Sequence, residues 1–536
     1  MKIKNIFLRI TAAALAAALC ALCLFSCSIG DSDVLGDCNG DGKANALDSN
    51  YLARFVLGEA VIINTKNADV NGDGLINDAD RKVLPTMLSG EYLPGERFSQ
   101  IYLNNVPVSD YAIVIGENAT DFEAWTAEIL RDTLKKLCGA ELSVRKDSKK
   151  AQEYEILIGE TNRPESSVSQ ADEGKYLCMA SGQKIVLKGK DYLVGAGAGY
   201  LIAILESAES DWNTEKYITV STESTQRTVE WVTPENIFYF IGDGMGLNHT
   251  LMATDSTAVV EYADGTIASP DEKAIPIFWP STFDHIGDAV TLNIQQSTTD
   301  SAAGATALST GYKTLNGALG MVPADLDGDG EANEFRSVQN VREVATMMGK
   351  ATAVLSTDKI TGATPNAFLI HHYTRKDKNI IKEQQKALES SRLAPNYLWC
   401  SYDSDDILSS FKEAVDKCDD NPGGFFIMTE EGMIDKYSEK QDYDNALRAV
   451  KRLNKLTAYA ATYAMCHRDT VIVITADHET GALTRGEDGV WRWTSDGEHT
   501  ALNVPVFAMG YGTEYFHNTT RENTEIAKFI FDAVQK

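Results

Sequence analysis

Three short apolar runs in the second half of the chain each end in acidic side chains, and this feature constrains the fold more than any other. The runs and the residues that follow them are 237–241 before Asp243, 425–428 before Glu430, and 471–474 before Asp477 and His478. From residue 236 onward such runs alternate with helical patterns, which predicts an α/β fold with a mostly parallel sheet and helices on both faces. Ligands of open sheets bind beyond the carboxyl ends of the strands, so we expect these carboxylates to meet at one edge.

Carboxylates packed together repel one another unless a cation neutralises them, so the strand ends predict a site for several metal ions. Each signal alone is weak, because Asp-Gly after a strand is usually a turn and a lone histidine usually belongs to the core or the surface. A further signal is Ser301, which follows Asp300 and opens a helical stretch of small residues, 302–308. The free amides and the dipole of a helix N-terminus favour a phosphate there, although the same residues also fit a simple N-cap.

Taken together, residues 235–536 resemble the alkaline phosphatase family. The motifs that carry the resemblance are Gly242-Asp243-Gly244-Met245-Gly246, Asp300-Ser301-Ala302, Ala363-Thr364-Pro365 with His371 and Arg375, residues 430–435, Thr475-Ala476-Asp477-His478, and His499-Thr500. They occur in the family's order along the chain. The resemblance implies an alkaline-phosphatase-like domain that hydrolyses phosphate monoesters through a phosphoserine.

The resemblance also implies a role for each matched residue. Ser301 would be the nucleophile that is transiently phosphorylated, and Arg375 would bind two phosphate oxygens through its planar guanidinium group. Two zinc sites and one magnesium site would be held by the other matched residues: Asp243, Asp477 and His478 for one zinc, Asp435 and His499 for the other, and Thr364, Glu430 and Asp243 for magnesium.

Two positions depart from the family pattern. Glu439 stands four residues after Asp435, where the family generally has a histidine. On one interpretation Glu439 coordinates in its place and shifts that site from zinc toward metals that prefer oxygen; on the other, the site is loose and activity falls. Gly362 stands where many members have an aspartate or a histidine beside the magnesium, and water is one way to fill that gap. Glu431, where the family usually has glycine, is a smaller difference.

A duplicated acidic loop near the N-terminus predicts calcium binding. The oxygen donors of the two copies, 32 residues apart, are Asp37, Asn39, Asp41, Lys43 and Asp48, and then Asp69, Asn71, Asp73, Leu75 and Asp80, with Lys43 and Leu75 donating backbone carbonyls. Hard cations need six to eight oxygens, and a glycine at the sixth loop position permits the sharp turn. Residues 34–93 resemble a type I dockerin. The resemblance implies an all-α module that binds a cohesin on a scaffold protein in a calcium-dependent way, as in a cellulosome for polysaccharide catabolism.

The first residues predict export. Lys2, Lys4 and Arg9 precede an apolar run, 10–25, which fits a signal peptide and is too short to span a membrane comfortably. Cys27 follows Leu24-Phe25-Ser26, a pattern that resembles a bacterial lipobox, so residues 1–27 predict a lipoprotein; a plain cleaved signal is the alternative. Both interpretations place the chain outside the cell or on its surface. The formal net charge of −28 argues against nucleic-acid partners and leaves the lipid as the expected membrane contact.

Between these regions, residues 98–228 predict a small α/β domain. Apolar runs at 111–115, 154–159 and 184–187 and a helical pattern at 122–137 support it, and the stretch 155–163 resembles an accessory domain of glycoside hydrolases. The stretch contains no catalytic constellation, so we expect a structural or docking role.

The sequence therefore favours an exported phosphate monoesterase in residues 235–536, with a homodimer as a further expectation. Two alternatives stay open. One is phosphodiesterase or sulfatase chemistry of the same superfamily, which the Asp300-Ser301 context and Arg375 disfavour. The other is a scaffold-docked protein whose metal site has decayed at Glu439.

Overall fold

A computed structural model describes residues 35–38, 43–44, 46–56, 65–68, 70, 76, 80–81, 83–84, 101–167, 170–206, 216–326 and 331–536. The chain divides into two compact units, one comprising residues 1–99 with 210–214 and the other residues 100–209 with 215–536. The predicted export segment 1–27 lies outside the described residues. In the part of the chain that the structure describes, no helix is long and apolar enough to cross a membrane.

The first unit contains helices α1 (Ala46–Val56) and α2 (Thr65–Ala68). Its buried residues form an apolar cluster with residues of both loops: Cys38, Leu52, Ala68, Val70 and Leu84. Because these residues come from both halves of the duplication, neither half buries its apolar face without the other.

The first part of the second unit is built around a sheet to which, over the described residues, six strands contribute in the order β4-β3-β5-β7-β6-β9. The elements up to residue 227 are β1 (Ile101–Leu103), β2 (Val106–Pro107), β3 (Ala112–Ile115), α3 (Asp121–Cys138), β4 (Val144–Lys146), β5 (Glu155–Ile158), β6 (Tyr176–Ser181), β7 (Lys184–Gly189), α4 (Val194–Glu206), β8 (Lys216–Ile218) and β9 (Gln226–Arg227). Strands β3, β4, β5 and β7 pair in parallel. Helix α3 starts at a capping box formed by Thr120 and Glu123 and ends at Gly139, whose φ is 68°.

A buried acid joins two of these strands. Glu155, at the start of β5, is fully buried and accepts from Arg163 Nε at 2.8 Å and from Lys184 Nζ at 2.7 Å. Burial opposes ionisation, but the two cations lower the pKa of Glu155 to about 2.

The second sheet positions the candidate site. Over the described residues, eight strands lie in the order β17-β16-β18-β10-β19-β24-β13-β25. The strands from residue 236 onward are β10 (Asn236–Gly242), β11 (Val259–Glu261), β12 (Ile267–Ala268), β13 (His285–Val290), β14 (Met321–Ala324), β15 (Glu334–Ser337), β16 (Ala351–Ser356), β17 (Tyr397–Cys400), β18 (Phe425–Glu431), β19 (Thr470–Thr475), β20 (Glu479–Thr480), β21 (Leu483–Arg485), β22 (Val490–Trp493), β23 (His499–Thr500), β24 (Val504–Met509) and β25 (Thr520–Glu522).

Strands β17, β16, β18, β10 and β19 run parallel, and β24 joins β19 antiparallel. The predicted α/β class with a mostly parallel sheet is therefore confirmed. The register sets Ile241 of β10 opposite both Glu430 and Thr475, so the carboxyl ends of three adjacent strands lie side by side.

Helices follow the strands of this sheet. They are α5 (Leu247–Thr254), α6 (Ser301–Thr310), α7 (Val341–Met347), α8 (Ala363–Ala367), α9 (Lys378–Glu389), α10 (Ile407–Cys418), α11 (Met433–Ser438), α12 (Tyr443–Cys466) and α13 (Asn523–Val534), with short 3₁₀ helices at Val108–Asp110, Pro164–Ser167, Asp191–Leu193, Trp279–Thr282 and Thr513–Phe516. Helix α12 also packs against the first sheet's helices: Trp125 of α3 meets Tyr459 edge to face with ring centroids 5.5 Å apart. Residues 101–206 are thus attached to the α12 side of the second sheet.

Candidate active site

The ends of β10 and β19 bring two buried acids together. Asp243 directly follows β10 and Asp477 follows β19, and both are almost completely buried. Gly244 turns the chain after Asp243 with a φ of 74°, and a Cβ atom there would lie 2.8 Å from both Cα and Cβ of Asp435. A glycine at this turn therefore allows the segment carrying Asp435 to approach the strand ends.

Ser301 is the first residue of helix α6 and lies against the same edge. Asp300 caps the helix by accepting from the Ala303 N–H at 3.0 Å, so the small-residue stretch starts where the sequence predicted a helix N-terminus. The helix packs closely on the sheet, because a Cβ atom at Gly304 would meet the Asp477 carbonyl oxygen at 2.5 Å. Ser301 is 2% exposed, and its Oγ lies 3.2 Å from Nε2 of His478.

Two groups of three side chains beside Ser301 have the donor types of a metal centre. In each group, one ligand atom of every residue lies within 4.8 Å of the others, and the groups are Asp243 with Asp477 and His478, and Asp435 with His478 and His499. His478 belongs to both groups. The imidazole rings of His478 and His499 stack with their centroids 3.6 Å apart.

Further contacts orient the second group. The Thr480 hydroxyl donates to Asp435 Oδ1 at 2.5 Å, and His499 Nδ1 lies 3.1 Å from the Thr299 carbonyl oxygen. The remaining ring nitrogen of His499 therefore faces Asp435, 3.5 Å from its Oδ1. Strand β23 positions His499 by pairing with β20, so that His499 lies opposite Thr480.

A third position lies at the end of β18. Glu430 is 1% exposed and Thr364, on helix α8, is fully buried. Among the described residues, buried oxygens that have no hydrogen-bond partner include one from each of four predicted ligands: Asp243 Oδ1, Thr364 Oγ1, Glu430 Oε1 and Asp477 Oδ2. Buried polar atoms are normally paired, so these oxygens fit divalent cations as their missing partners.

The raised pKa values of the acids also agree with a site for divalent cations. Burial, together with the charge of Asp435, raises the pKa of Asp243 to about 7. Burial and the charge of Asp243 likewise raise the pKa of Glu430 and that of Asp477. Each of these carboxylates is therefore hard to ionise until a cation neutralises the cluster.

The second group is partly neutralised by the chain itself. Burial opposes ionisation of Asp435, but the hydrogen bond with His499 and the charges of Lys436 and His499 hold the pKa of Asp435 well below its usual range. The same partnership outweighs burial for His499 and raises its pKa to about 9. Burial and the neighbouring charge of His499 lower the pKa of His478, so its ring is neutral and fit to be a ligand.

Arg375 pairs with Asp300, the residue that precedes Ser301. It is 27% exposed, and its Nη1 lies 3.5 Å from Asp300 Oδ2. Asp300 also accepts from the Gly317 N–H at 3.0 Å, while the Arg375 N–H donates to the Gly317 carbonyl at 2.6 Å. The residue that caps the serine helix thus also orients the guanidinium group.

Glu439 is the predicted ligand that the structure does not bring into a group. Its side chain is 42% exposed, and its carboxylate lies 3.8 Å from the ammonium of Lys436. Lys436 itself reaches Asp435, with Nζ 2.6 Å from Oδ2. Sequence reasoning missed Lys436 and Thr480 as neighbours of Asp435, because adjacency in the sequence does not reveal which way a side chain points.

In the first unit, the described residues give a partial view of the two loops. Asp37, Asp48 and Asp80 are fully buried, and Asp80 Oδ1 accepts from the Val70 N–H at 2.8 Å. Burial and then the charges of the three acids raise the pKa of Cys38 to about 12, so carboxylates of both copies lie near this thiol. Lys43 is exposed. The other predicted calcium ligands lie outside the described residues: Asn39, Asp41, Asp69, Asn71, Asp73 and Leu75. Buried carboxylates fit a calcium site.

Comparisons with known proteins match two regions of the chain. Residues 234–397 and 404–496 match the family described as alkaline phosphatase, and residues 35–89 match the type I dockerin domain. Alkaline phosphatase 3 of Bacillus subtilis is 28% identical over 332 residues, which cover 51% of this chain and 67% of that protein. Alkaline phosphatase 4 of the same organism is 28% identical over 264 residues, which cover 39% of this chain and 55% of that protein.

Among solved structures, the chain is similar to the alkaline phosphatase of the Antarctic bacterium TAB5. The match has a TM-score of 0.45 at 23% identity and covers 57% of this chain and 99% of that one.

Proposed function

We propose that the chain is an exported, metal-dependent phosphate monoester hydrolase that docks to a scaffold. Residues 234–496 belong to the alkaline phosphatase family, and residues 35–89 belong to the type I dockerin family. One observation carries the enzymatic part. The Ser301 hydroxyl lies at a helix N-terminus, 3.2 Å from the histidine that the two candidate metal groups share.

Ser301 is the nucleophile in this proposal. Its Oγ gives up its proton to water and attacks the phosphorus of the ester, the bond from phosphorus to the leaving oxygen breaks, and the leaving group takes up a proton from water and departs as an alcohol. A water molecule then attacks the phosphoserine, the bond from phosphorus to Oγ breaks, Oγ takes up a proton again, and inorganic phosphate leaves. Splitting one displacement into two steps in this way is what a covalent nucleophile contributes.

Divalent cations bound to the two groups would lower the pKa of the serine hydroxyl and of water, and would neutralise developing charge. Asp243, Asp477 and His478 would hold the one beside Ser301. Asp435 and His499 would hold the other, on the leaving-group side. We assign zinc to both positions, and magnesium to the position of Glu430, Thr364 and the second oxygen of Asp243.

The other polar groups act on the phosphate directly. Arg375 is held by Asp300, the residue before the serine, and its planar guanidinium would bind two phosphate oxygens. The helix N-terminus adds free amides and the positive end of the dipole. Both features favour the doubly charged phosphate of a monoester over a diester.

One assay separates this proposal from its two alternatives. The purified chain is given an aryl phosphate, the matching diester and a sulfate ester, with zinc, magnesium, cobalt or calcium added in turn. We expect turnover of the monoester, and the Ser301→Ala variant is expected to lose both turnover and trapped phosphoenzyme. Turnover of the diester alone would establish the phosphodiesterase alternative.

The alternative of a decayed site has one observation in its favour, namely that Glu439 is exposed and Lys436 reaches Asp435 in its place. No turnover with any metal would establish this alternative. If Glu439 does coordinate, Glu439→His is expected to shift the preferred metal toward zinc, since imidazole suits zinc and carboxylate suits harder cations.

The docking part of the proposal rests on the dockerin region. We propose that residues 34–93 bind calcium and then a cohesin, that residues 1–27 direct export with a lipid on Cys27, and that residues 98–228 and 235–536 are the accessory and catalytic domains. Capture of the chain by an immobilised cohesin in calcium, and its release by a chelator, tests the docking step. Capture that is equal with and without calcium would contradict it. The homodimer stays a prediction.

A further inference from the structure

An aspartate that the family resemblance does not cover lies at the same sheet edge as the candidate site. Asp358 stands two residues beyond the end of β16, whose last residue, Ser356, pairs in register with Glu430. The Asp358 N–H donates to Ser356 Oγ at 2.8 Å, and the Ser356 hydroxyl in turn donates to Glu430. Asp358 therefore follows the end of a parallel strand just as the other acids of the site do.

The carboxylate of Asp358 fills the space beside Gly362. A Cβ atom added at Gly362 would lie 2.6 Å from Asp358 Oδ2 and 3.2 Å from its Cγ. Real Cβ atoms essentially never approach a neighbour that closely, so a side chain at position 362 would require the carboxylate of Asp358 to move. Gly362 stands where the family often has a metal ligand. The carboxylate of Asp358, four residues earlier in the chain, lies beside this position.

Asp358 also adds charge to the third position. It is 9% exposed, and among the residues that the structure describes no donor hydrogen-bonds its carboxylate. Its charge is one of the causes that raise the pKa of Glu430 and of Asp243. Those two acids and Thr364 each have a buried oxygen without a hydrogen-bond partner. Three acids and a hydroxyl thus lie at one sheet edge with too few donors among them, but over the described residues the three acids do not form a group whose ligand atoms all lie within 4.8 Å of one another.

The nearest cation of the chain does not resolve this excess. Lys378 lies close enough for the charge of Asp358 to act on it, but its ammonium donates to the Thr361 carbonyl at 2.8 Å. Over the described residues, no ion pair within 4.0 Å joins the two side chains.

We propose that Asp358 supplies the carboxylate that Gly362 lacks, and that it acts through bound water on an all-oxygen magnesium position whose direct ligands are Glu430, Asp243 and Thr364. Small hard cations prefer oxygen donors and are bound through one or more carboxylates together with water. The inference rests on the proposed function for the existence of a third cation position, and adds to it the residue that completes this position.

The test compares magnesium binding in Asp358→Asn and in the unaltered full chain. Both proteins are stripped with a chelator and reloaded with zinc, and magnesium chloride is then titrated by calorimetry. The dockerin loops are present in both proteins, so their contribution cancels. Asp405→Asn is the matched control, because it makes the same chemical change in a side chain that is 76% exposed. We expect Asp358→Asn to weaken magnesium binding by between about tenfold and 100-fold with unchanged zinc content, and the control to have no effect.

Thermal unfolding provides a second readout that a structural role would not give. Replacing an unpaired buried charge is expected to raise the unfolding midpoint of the metal-free protein and to reduce the further rise that magnesium produces. A midpoint that falls equally with and without magnesium would show that Asp358 only stabilises its loop, and would overturn the inference. Unchanged magnesium affinity in Asp358→Asn would also overturn it.

Ester hydrolysis measured in parallel keeps the two proposals separate. Magnesium binding that depends on Asp358 in a chain that hydrolyses no ester would leave this inference standing and remove the proposed function. If the chain hydrolyses the monoester and Asp358→Asn leaves magnesium binding unchanged, the proposed function stands and this inference is overturned.

Discussion

Replacing Arg452 by methionine is expected to destabilise the second unit strongly, because it would leave a buried carboxylate without its cation. Glu431 is fully buried and receives two bonds from Arg452, from Nη2 at 2.9 Å and from Nε at 3.0 Å. Breaking a buried ion pair by removing one partner typically costs about 3 to 5 kcal/mol. The Thr357 hydroxyl and the Met433 N–H would still donate to Glu431, so we expect the lower part of that range.

The assay is urea unfolding, followed by tryptophan fluorescence, of the unaltered chain and of three variants. Arg492→Met is the control, since the side chains of Arg492 and its partner Asp488 are 31% and 53% exposed and exposed ion pairs contribute little to stability. The double variant with Glu431→Gln should recover part of the loss, because the unpaired charge is then gone. A loss from Arg452→Met no larger than that from Arg492→Met would refute the reasoning.

The same variant has a pH dependence with a definite sign. Burial already raises the pKa of Glu431 above its usual range, and removing Arg452 takes away a cation that opposes this rise. A carboxyl whose folded pKa is raised costs stability above that pKa and recovers it on protonation. The loss caused by Arg452→Met should therefore be larger at pH 8 than at pH 5.

Three further outcomes are expected. The pKa of Glu155 is lowered to about 2, so the stability that this carboxylate contributes is complete above its ordinary pKa of 4.5 and is lost as the pH falls from there toward 2. Glu155→Gln should therefore make the unfolding midpoint less dependent on pH in this range. Thermal unfolding measured at a series of acidic pH values checks this. Gly304→Ala should cost about 1 to 3 kcal/mol and lower the phosphatase activity, because the added Cβ would meet a carbonyl oxygen at 2.5 Å, and urea unfolding together with the aryl phosphate assay checks this. Chelation of calcium should unfold the region 35–89, seen as loss of helical circular dichroism that added calcium restores.

The residues at the strand ends of the candidate site could be placed from the sequence, because parallel strands of one sheet end at the same edge. A buried run must be a strand, a parallel strand ends at a common edge, and the residue that follows each run is read directly from the sequence. Asp243, Glu430 and Asp477 could be placed together on this basis alone. His499 could not, because it lies on β23, which pairs antiparallel with the distant short strand β20, and only the resemblance pointed to it.

Side chains whose direction depends on loop packing were beyond the sequence. Lys436 reaches Asp435 at 2.6 Å, while Glu439 contacts the same ammonium at 3.8 Å and remains exposed. The antiparallel strand β24 was also missed, since its apolar run resembles those of the parallel strands. Gly362 marked a gap in the sequence, but its neighbour Asp358 could fill that gap only once the turn between them had a defined geometry.

Two pairs of buried acids among the described residues differ in how they are neutralised, and the contrast separates structure from function. Glu155 and Glu431 are fully buried, and each is met by positively charged side chains of the chain itself. Asp243 and Asp477 are equally buried, yet each has an oxygen with no hydrogen-bond partner and a raised pKa. An unneutralised buried carboxylate costs several kcal/mol, so a chain that pairs its acids elsewhere would not retain two beside a serine unless something outside the chain completes them. The positions of these unpaired oxygens, more than the number of acids, identify the edge beside Ser301 as the place where cations bind.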